Sequence, residues 1–148
     1  MRYGFLVLAL LGIASCGQKP ESVENFHTRD VMLPNGQIIH AEVAIDARDM
    51  LRGLMFRDSL PPDRGMLFVH QRPGRYSYWM YQMLIPIDTI WMDSQHRIVE
   101  IYANAPPCRT VAHECPHYGG KADSQFELQL GGGMAAKYGL KDGDRIAF

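Results

Sequence analysis

Two constellations in this sequence have residue types and spacings that do chemistry. The segment 106–120 reads Pro-Pro-Cys-Arg-Thr-Val-Ala-His-Glu-Cys-Pro-His-Tyr-Gly-Gly. In an oxidising compartment its Cys108 and Cys115, separated by six residues, are expected to form a disulfide. Closing a loop of about eight residues contributes roughly 2.5 kcal/mol by chain entropy. The rival chemistry is a metal site, because His113 and His117 flank the thiols. Their spacing matches no familiar zinc pattern and Pro116 disturbs the strand that would align the last three, so no metal is expected. The second constellation is Arg52, Arg57, Asp88 and Asn104, polar groups set into or beside apolar phrases. Asp88, between Ile87 and Thr89-Ile90-Trp91, is expected inside, where a carboxylate needs a partner. An ion pair with one of the arginines plus backbone hydrogen bonds, or a network that includes Asn104, would make it structural. An open cleft would instead let Arg52 or Arg57 bind an anion or a sugar carboxylate, with Trp79 or Tyr81 as a stacking wall.

Other chemistry is weaker. Among nine methionines, Met80, Met83 and Met92 offer thioethers to copper(I), but they are spread through apolar runs without a short repeat and read as core. No Gly-x-Ser-x-Gly, His-Glu-x-x-His or phosphate-cradling loop occurs, and Gly131 to Gly133 precede too short a helix. His113 and Glu114 offer a base near Cys115, but a disulfide would consume that nucleophile. No cofactor is expected.

The start of the chain carries an address. Arg2 is followed by an apolar run over residues 5–13 and by Ile13-Ala14-Ser15-Cys16. The run is too short for a lasting bilayer span, which takes ~20 apolar residues, and has the outline of a secretory signal. The last four residues resemble the lipobox of bacterial lipoproteins, which implies cleavage before Cys16 and diacylglycerol on its thiol. Residues 1–15 are thus read as signal peptide and 16–24 as a polar tether containing Pro20. Several acyl chains, at ~0.8 kcal/mol per buried methylene, would hold the protein stably to a membrane. Gly17 follows the cysteine. Lipoproteins kept at the inner membrane commonly have Asp there, so the expected address is periplasm-facing and tilts toward the outer membrane.

About 130 residues remain after the leader, enough for one domain and one main core. A net charge of −1 and the lack of any Lys/Arg run argue against nucleic acid as a partner. With 47% hydrophobic and 21% charged residues, the chain is neither disordered nor a multi-span membrane protein.

The elements that must position these residues are mainly strands. Residues 26–33 and 37–45 flank Pro34-Asn35-Gly36, a two-residue hairpin signal. Asp46 then caps a short helix with Asp49 three positions on, Leu51, Leu54 and Met55 share one face, and Pro61-Pro62 stops it. Four strands are expected at 65–71, 75–81, 87–93 and 97–103, the last two joined by a turn at Ser94-Gln95. Phe126, Leu128 and Leu130 alternate with Gln125, Glu127 and Gln129, which predicts a strand with one core face and one wet face. Met134 to Tyr138 can form one or two helical turns ended by Gly139, and the C-terminal residues supply a last strand. Short strands with little helix between them imply a mainly β fold, a compact, mostly antiparallel sandwich or small barrel with two short helices, spanning 25–148.

Six phrases occur together in order: Arg52-Gly53-Leu54-Met55-Phe56-Arg57, Gly65-Met66-Leu67-Phe68, Trp79-Met80, Ile85-Pro86-Ile87-Asp88, Asn104-Ala105-Pro106 and Gly143-Asp144-Arg145-Ile146. With them the chain resembles the domain-of-unknown-function 192 family over nearly all of 26–148. The resemblance implies a compact β-rich domain, often exported, and no established reaction. Gln82-Met83 stands where members often carry Asn-Thr.

These readings converge on a lipid-anchored envelope accessory domain that binds a small polar ligand, glycan or protein partner without catalysis. The alternative is an envelope hydrolase acting on a polysaccharide or peptide through Asp88 with Arg52 or Arg57. A cleft that holds those side chains together and open to solvent would favour an enzyme or ligand site.

Overall fold

A computed structural model describes residues 27–148. The leader, the tether and Cys16 lie outside the described residues. The chain runs through β1 (Thr28–Met32), β2 (Ile38–Ala44), α1 (Ala47–Arg52), β3 (Arg64–Gly74), β4 (Ser77–Trp79), β5 (Ile87–Met92), β6 (Ile98–Ala105), a 3-10 turn (Ala112–Glu114), β7 (His117–Gly119), β8 (Ser124–Gly131) and α2 (Met134–Lys137).

Local chemistry sets most boundaries. Gly36, at φ 84°, lets β1 turn back onto β2 with Met32 opposite Ile38. Asp46 caps α1 by accepting from the Asp49 N–H at 2.9 Å. Gly53, at φ 48°, ends that helix, so Leu54 and Met55 lie beyond it, and Leu51 is exposed rather than aligned with the buried Leu54. The Asp93 carboxylate accepts from the N–H groups of Gln95 and Arg97 and fixes the turn between β5 and β6.

Six strands form one mixed sheet in the order β1-β2-β3-β8-β5-β6. All neighbours are antiparallel except β2 and β3, which are parallel and therefore need the crossover that α1 and residues 53–63 provide. The fold is mainly β with two short helices, as expected, and the sheet is open rather than closed into a barrel. The C-terminal residues do not extend into a strand. They reach across the two sheet edges by single bridges, Arg145 to Arg97 beside β6 and Ala147 to Met32 of β1. Each edge offers this segment only one paired position, so no ladder propagates.

The sheet is covered on both faces. On one, Leu67, Ile90, Leu128 and Leu130 pack with Ile39, Ile98, Ile146 and Ala135 of α2. On the other, Met66, Phe68 and Ile87 pack under Leu54, Met80 and Met83. The second face is roofed by α1 and by a separate two-stranded sheet, β4 with β7, in which Tyr78 pairs with Tyr118. The strand expected over 75–81 is therefore only three residues long and belongs to this roof. Its partner β7 follows Pro116 directly and is a strand the sequence reading did not anticipate. Gly119 lets β7 approach, since a Cβ there would lie 2.1 Å from the Trp91 ring.

The roof changes the character of β8. Glu127 and Gln129, on the face expected to be wet, are 0% and 4% exposed. Alternation places both side chains on the second face, but only tertiary structure covers that face.

Candidate ligand-binding site

The six residues singled out for a cleft separate into three places. Asp88 is 0% exposed and faces α2. Its Oδ1 accepts from the N–H groups of Asn104 at 2.8 Å and Gly133 at 3.0 Å, and its Oδ2 accepts from Ala135 N–H at 2.7 Å. These are orphan donors at the start of a short helix and at a residue in left-handed conformation, Asn104 with φ 53°. Of the expected structural account, the backbone hydrogen bonds and the link to Asn104 are present: three backbone N–H groups satisfy this carboxylate, while Arg57 pairs with Glu42 instead. Asn104 belongs to the same corner, where its Oδ1 lies so close to Gly132 that a Cβ there would meet it at 2.6 Å. Arg57 is elsewhere, in a two-pronged pair with Glu42 of β2, both bonds 2.6 Å.

Arg52, Trp79 and Tyr81 do converge. They line a cavity of about 140 Å³ between α1 and the roof, with Phe68 and Met83 inside it and Gln129 contributing from β8. Trp79 and Tyr81 stand with ring centres 5.4 Å apart, and His117 of β7 lies 5.8 Å from the Trp79 ring. The disulfide steadies this wall. Cys108 and Cys115 are bonded, with Cα atoms 5.7 Å apart, as the spacing predicted. The Cys108 N–H donates to the Met80 carbonyl at 2.9 Å, and Cys108 bridges Tyr81 in parallel register. Both sulfurs are in the bond, so neither is a thiolate available to a metal. Met80 and Met83 lie on the second face of the sheet and Met92 on the first, so the three thioethers do not meet. Replacing both cysteines by serine is expected to lower stability by roughly 2.5 kcal/mol and to loosen Tyr81. Urea unfolding beside the untreated parent protein reads the first effect, and an unchanged midpoint would contradict it.

Behind the cavity is a polar network that sequence reasoning missed. Glu127 is buried next to Gln129, whose Nε2 donates to Glu127 Oε1 at 2.9 Å, while Glu127 Oε2 has no hydrogen-bond partner. Burial pushes its carboxyl up to about 8, and the Gln129 amide and the nearby Tyr78 hydroxyl only partly oppose that shift. Burial, then the neighbouring Glu127, raises the Tyr78 phenol well above its ordinary range. Tyr78 also meets His70 Nε2 at 2.7 Å, and burial lowers that imidazole. Thr89, opposite Gln129 on β5, has a second buried oxygen without a partner. One signal was available: two polar side chains, Glu127 and Gln129, on a strand bounded by apolar residues that the order of the sheet makes central.

A mixed open sheet of six strands, with a two-stranded roof over one face and a small aromatic-walled cavity beneath it, defines a mainly β domain. The sequence profile of the domain-of-unknown-function 192 family, described as an uncharacterised ACR, matches residues 31–148, and the chain belongs to that family. The fold is similar to that of a protein of unknown function from Novosphingobium aromaticivorans, with TM-score 0.74 and 28% identity, covering 82% of this chain and 85% of that one. It is also similar to a protein from Sinorhizobium meliloti that carries the provisional description of a transcription regulator, with TM-score 0.70 and 27% identity over 80% and 89% of the two chains. No curated protein matches this chain.

Proposed function

We propose that this chain is a lipid-anchored, periplasm-facing envelope protein whose domain binds a ring-sized polar group of an envelope glycan, without catalysis. The observation that carries the reading is the convergence of Trp79, Tyr81 and Arg52 over Gln129 around one cavity of about 140 Å³. A cavity of ~150 Å³ holds a benzene ring, so a single sugar ring or its edge is the matching size. Aromatic side chains take the apolar face of such a ring, and the guanidinium and amide take its polar edge. The hydrolase alternative loses its central group, because Asp88 lies on the opposite face of the sheet with three backbone donors. The regulator description of the Sinorhizobium neighbour is not carried over, since a net charge of −1 without a basic run gives no grip on phosphates.

Calorimetric titration of the lipidated protein in detergent with N-acetylglucosamine and D-glucuronate tests the site. Trp79→Ala is expected to weaken whichever sugar binds by roughly tenfold, the scale of one aromatic contact; equal affinity in the variant would sink the site. The anchor has its own test. Cys16→Ser is expected to leave an unlipidated precursor, motivated by Ile13-Ala14-Ser15-Cys16 after the apolar run. A variant processed and held at the membrane like the parent would refute it.

A further inference from the structure

The cavity under the roof is not an isolated hollow, because two further cavities adjoin it and each shares walls with it. Toward the disulfide, a cavity of about 260 Å³ is lined by Gln82, Leu84, Arg109 and Thr110 and has Tyr81 and Met83 in common with the central one. Toward the turn between β3 and β4, an open cavity of about 540 Å³ is lined by His70 and Tyr76 and shares Met50, Leu51, Ser77 and Tyr78. The two outer cavities have no residue in common, so the central one lies between them. All three follow the chain through β4 and on to Leu84, and together they form one trough.

Both ends of the trough are fixed by bonds already in place. At one, the Gln82 carbonyl accepts from the Phe56 N–H at 3.0 Å and the Met80 carbonyl from the Cys108 N–H at 2.9 Å. At the other, the Tyr78 hydroxyl meets His70 Nε2 at 2.7 Å and the Tyr76 ring stacks on His70 with centres 3.5 Å apart. Walls set before binding cost a ligand little ordering. The lining suits sugar rings, which have an apolar face and a polar rim: aromatic, Met and Leu side chains alternate with hydroxyl, amide and guanidinium groups, and no Asp or Glu lines any of the three cavities. An extended backbone advances ~3.3 Å per residue, so Tyr76 and Tyr81 stand on the order of 15 Å apart along the trough. That is longer than the one ring the central cavity holds. Resting on the glycan reading above, we infer that the site takes a linear oligosaccharide, with one ring seated under the roof and the rings on either side of it lying in the two flanking cavities.

Titration calorimetry of the lipidated protein in detergent tests the length of the site, with two series of probes. One is chitin oligomers of one to five N-acetylglucosamine units; the other is D-glucuronate beside hyaluronan fragments of two to six sugars. In at least one series affinity is expected to rise about tenfold from the single sugar to a chain of three or four, more than repeated copies of one sugar give by statistics, and then to level off. Arg109→Ala, at an exposed position at one end of the trough, is expected to weaken the chain about threefold and to leave the single sugar as it was. Tyr76→Ala is expected to do the same at the other end. Chains that bind no tighter than single sugars overturn the trough and leave the cavity reading standing. So does a chain that both variants hold as tightly as the parent protein. If neither single sugars nor chains bind, the cavity reading itself fails and the inference with it.

Discussion

Replacing Asp88 with alanine is expected to lower the stability of this domain by about 4 kcal/mol or more. Three backbone N–H groups, those of Asn104, Gly133 and Ala135, lose their acceptor, a carboxylate that is fully buried. Each buried donor left unsatisfied costs ~1–3 kcal/mol, and some of that is recovered as the corner relaxes. A total stability of ~5–15 kcal/mol makes this a large fraction. Asp88→Asn is the sharper variant, because it keeps the size and one oxygen. That oxygen can serve Asn104 and Gly133, but the new amide N–H₂ then faces the Ala135 N–H, donor against donor. About 2–3 kcal/mol is expected. Denaturant unfolding reads both as a lower urea midpoint with an unchanged slope. A ligand role would give the reverse, a normal midpoint with sugar binding abolished.

Glu127→Gln is expected to change how stability depends on pH. The carboxyl sits near its ordinary value of 4.5 in the unfolded chain and is pushed up to about 8 by burial in the fold. Its folded value is the higher one, so the native state holds a proton that the unfolded chain has released. Stability is therefore full below about pH 4.5, falls at ~1.4 kcal/mol per pH unit as pH rises toward 8, and levels off above that. Glutamine can still accept from Gln129 Nε2 and has nothing to ionise. Parent and variant are expected to be close at pH 5, with the variant ahead by several kcal/mol at pH 9. Other titrating groups are common to both proteins and cancel in the difference. Curves that run parallel from pH 5 to pH 9 would mean that Glu127 ionises freely in the fold.

Both results turn on residues that the sequence treats unequally. Asp88 was legible as a buried carboxylate with backbone hydrogen bonds because apolar neighbours surround it, yet apart from Asn104 the particular groups that hold it were not. They are backbone groups brought from β6 and the start of α2, and backbone donors have no signature in composition. The hairpin at Asn35-Gly36, the Asp46 cap and the stop at Gly139 were legible because each is decided by a few consecutive residues. The disulfide followed from spacing. Glu127 was not legible as a buried group, since its strand alternates in the manner of a half-exposed one. What buries it is the β4–β7 roof, a pairing between segments some forty residues apart that contains a strand directly after a proline. The crossover and the roof also decide where the cleft candidates lie: Arg52, Trp79 and Tyr81 come from segments that these bring together, whereas Arg57 is paired with Glu42 on β2.

Amide chemical-shift mapping of the lipidated protein in detergent during titration with D-glucuronate at pH 7 tests most directly the proposal that the cavity under that roof takes a sugar ring. Saturating shifts confined to residues 51–55, 77–83, 117 and 129 are expected. Shifts that instead centre on the outer strands β1 and β6 or on the Asp88 corner, or none up to the solubility limit of the sugar, would contradict the assignment.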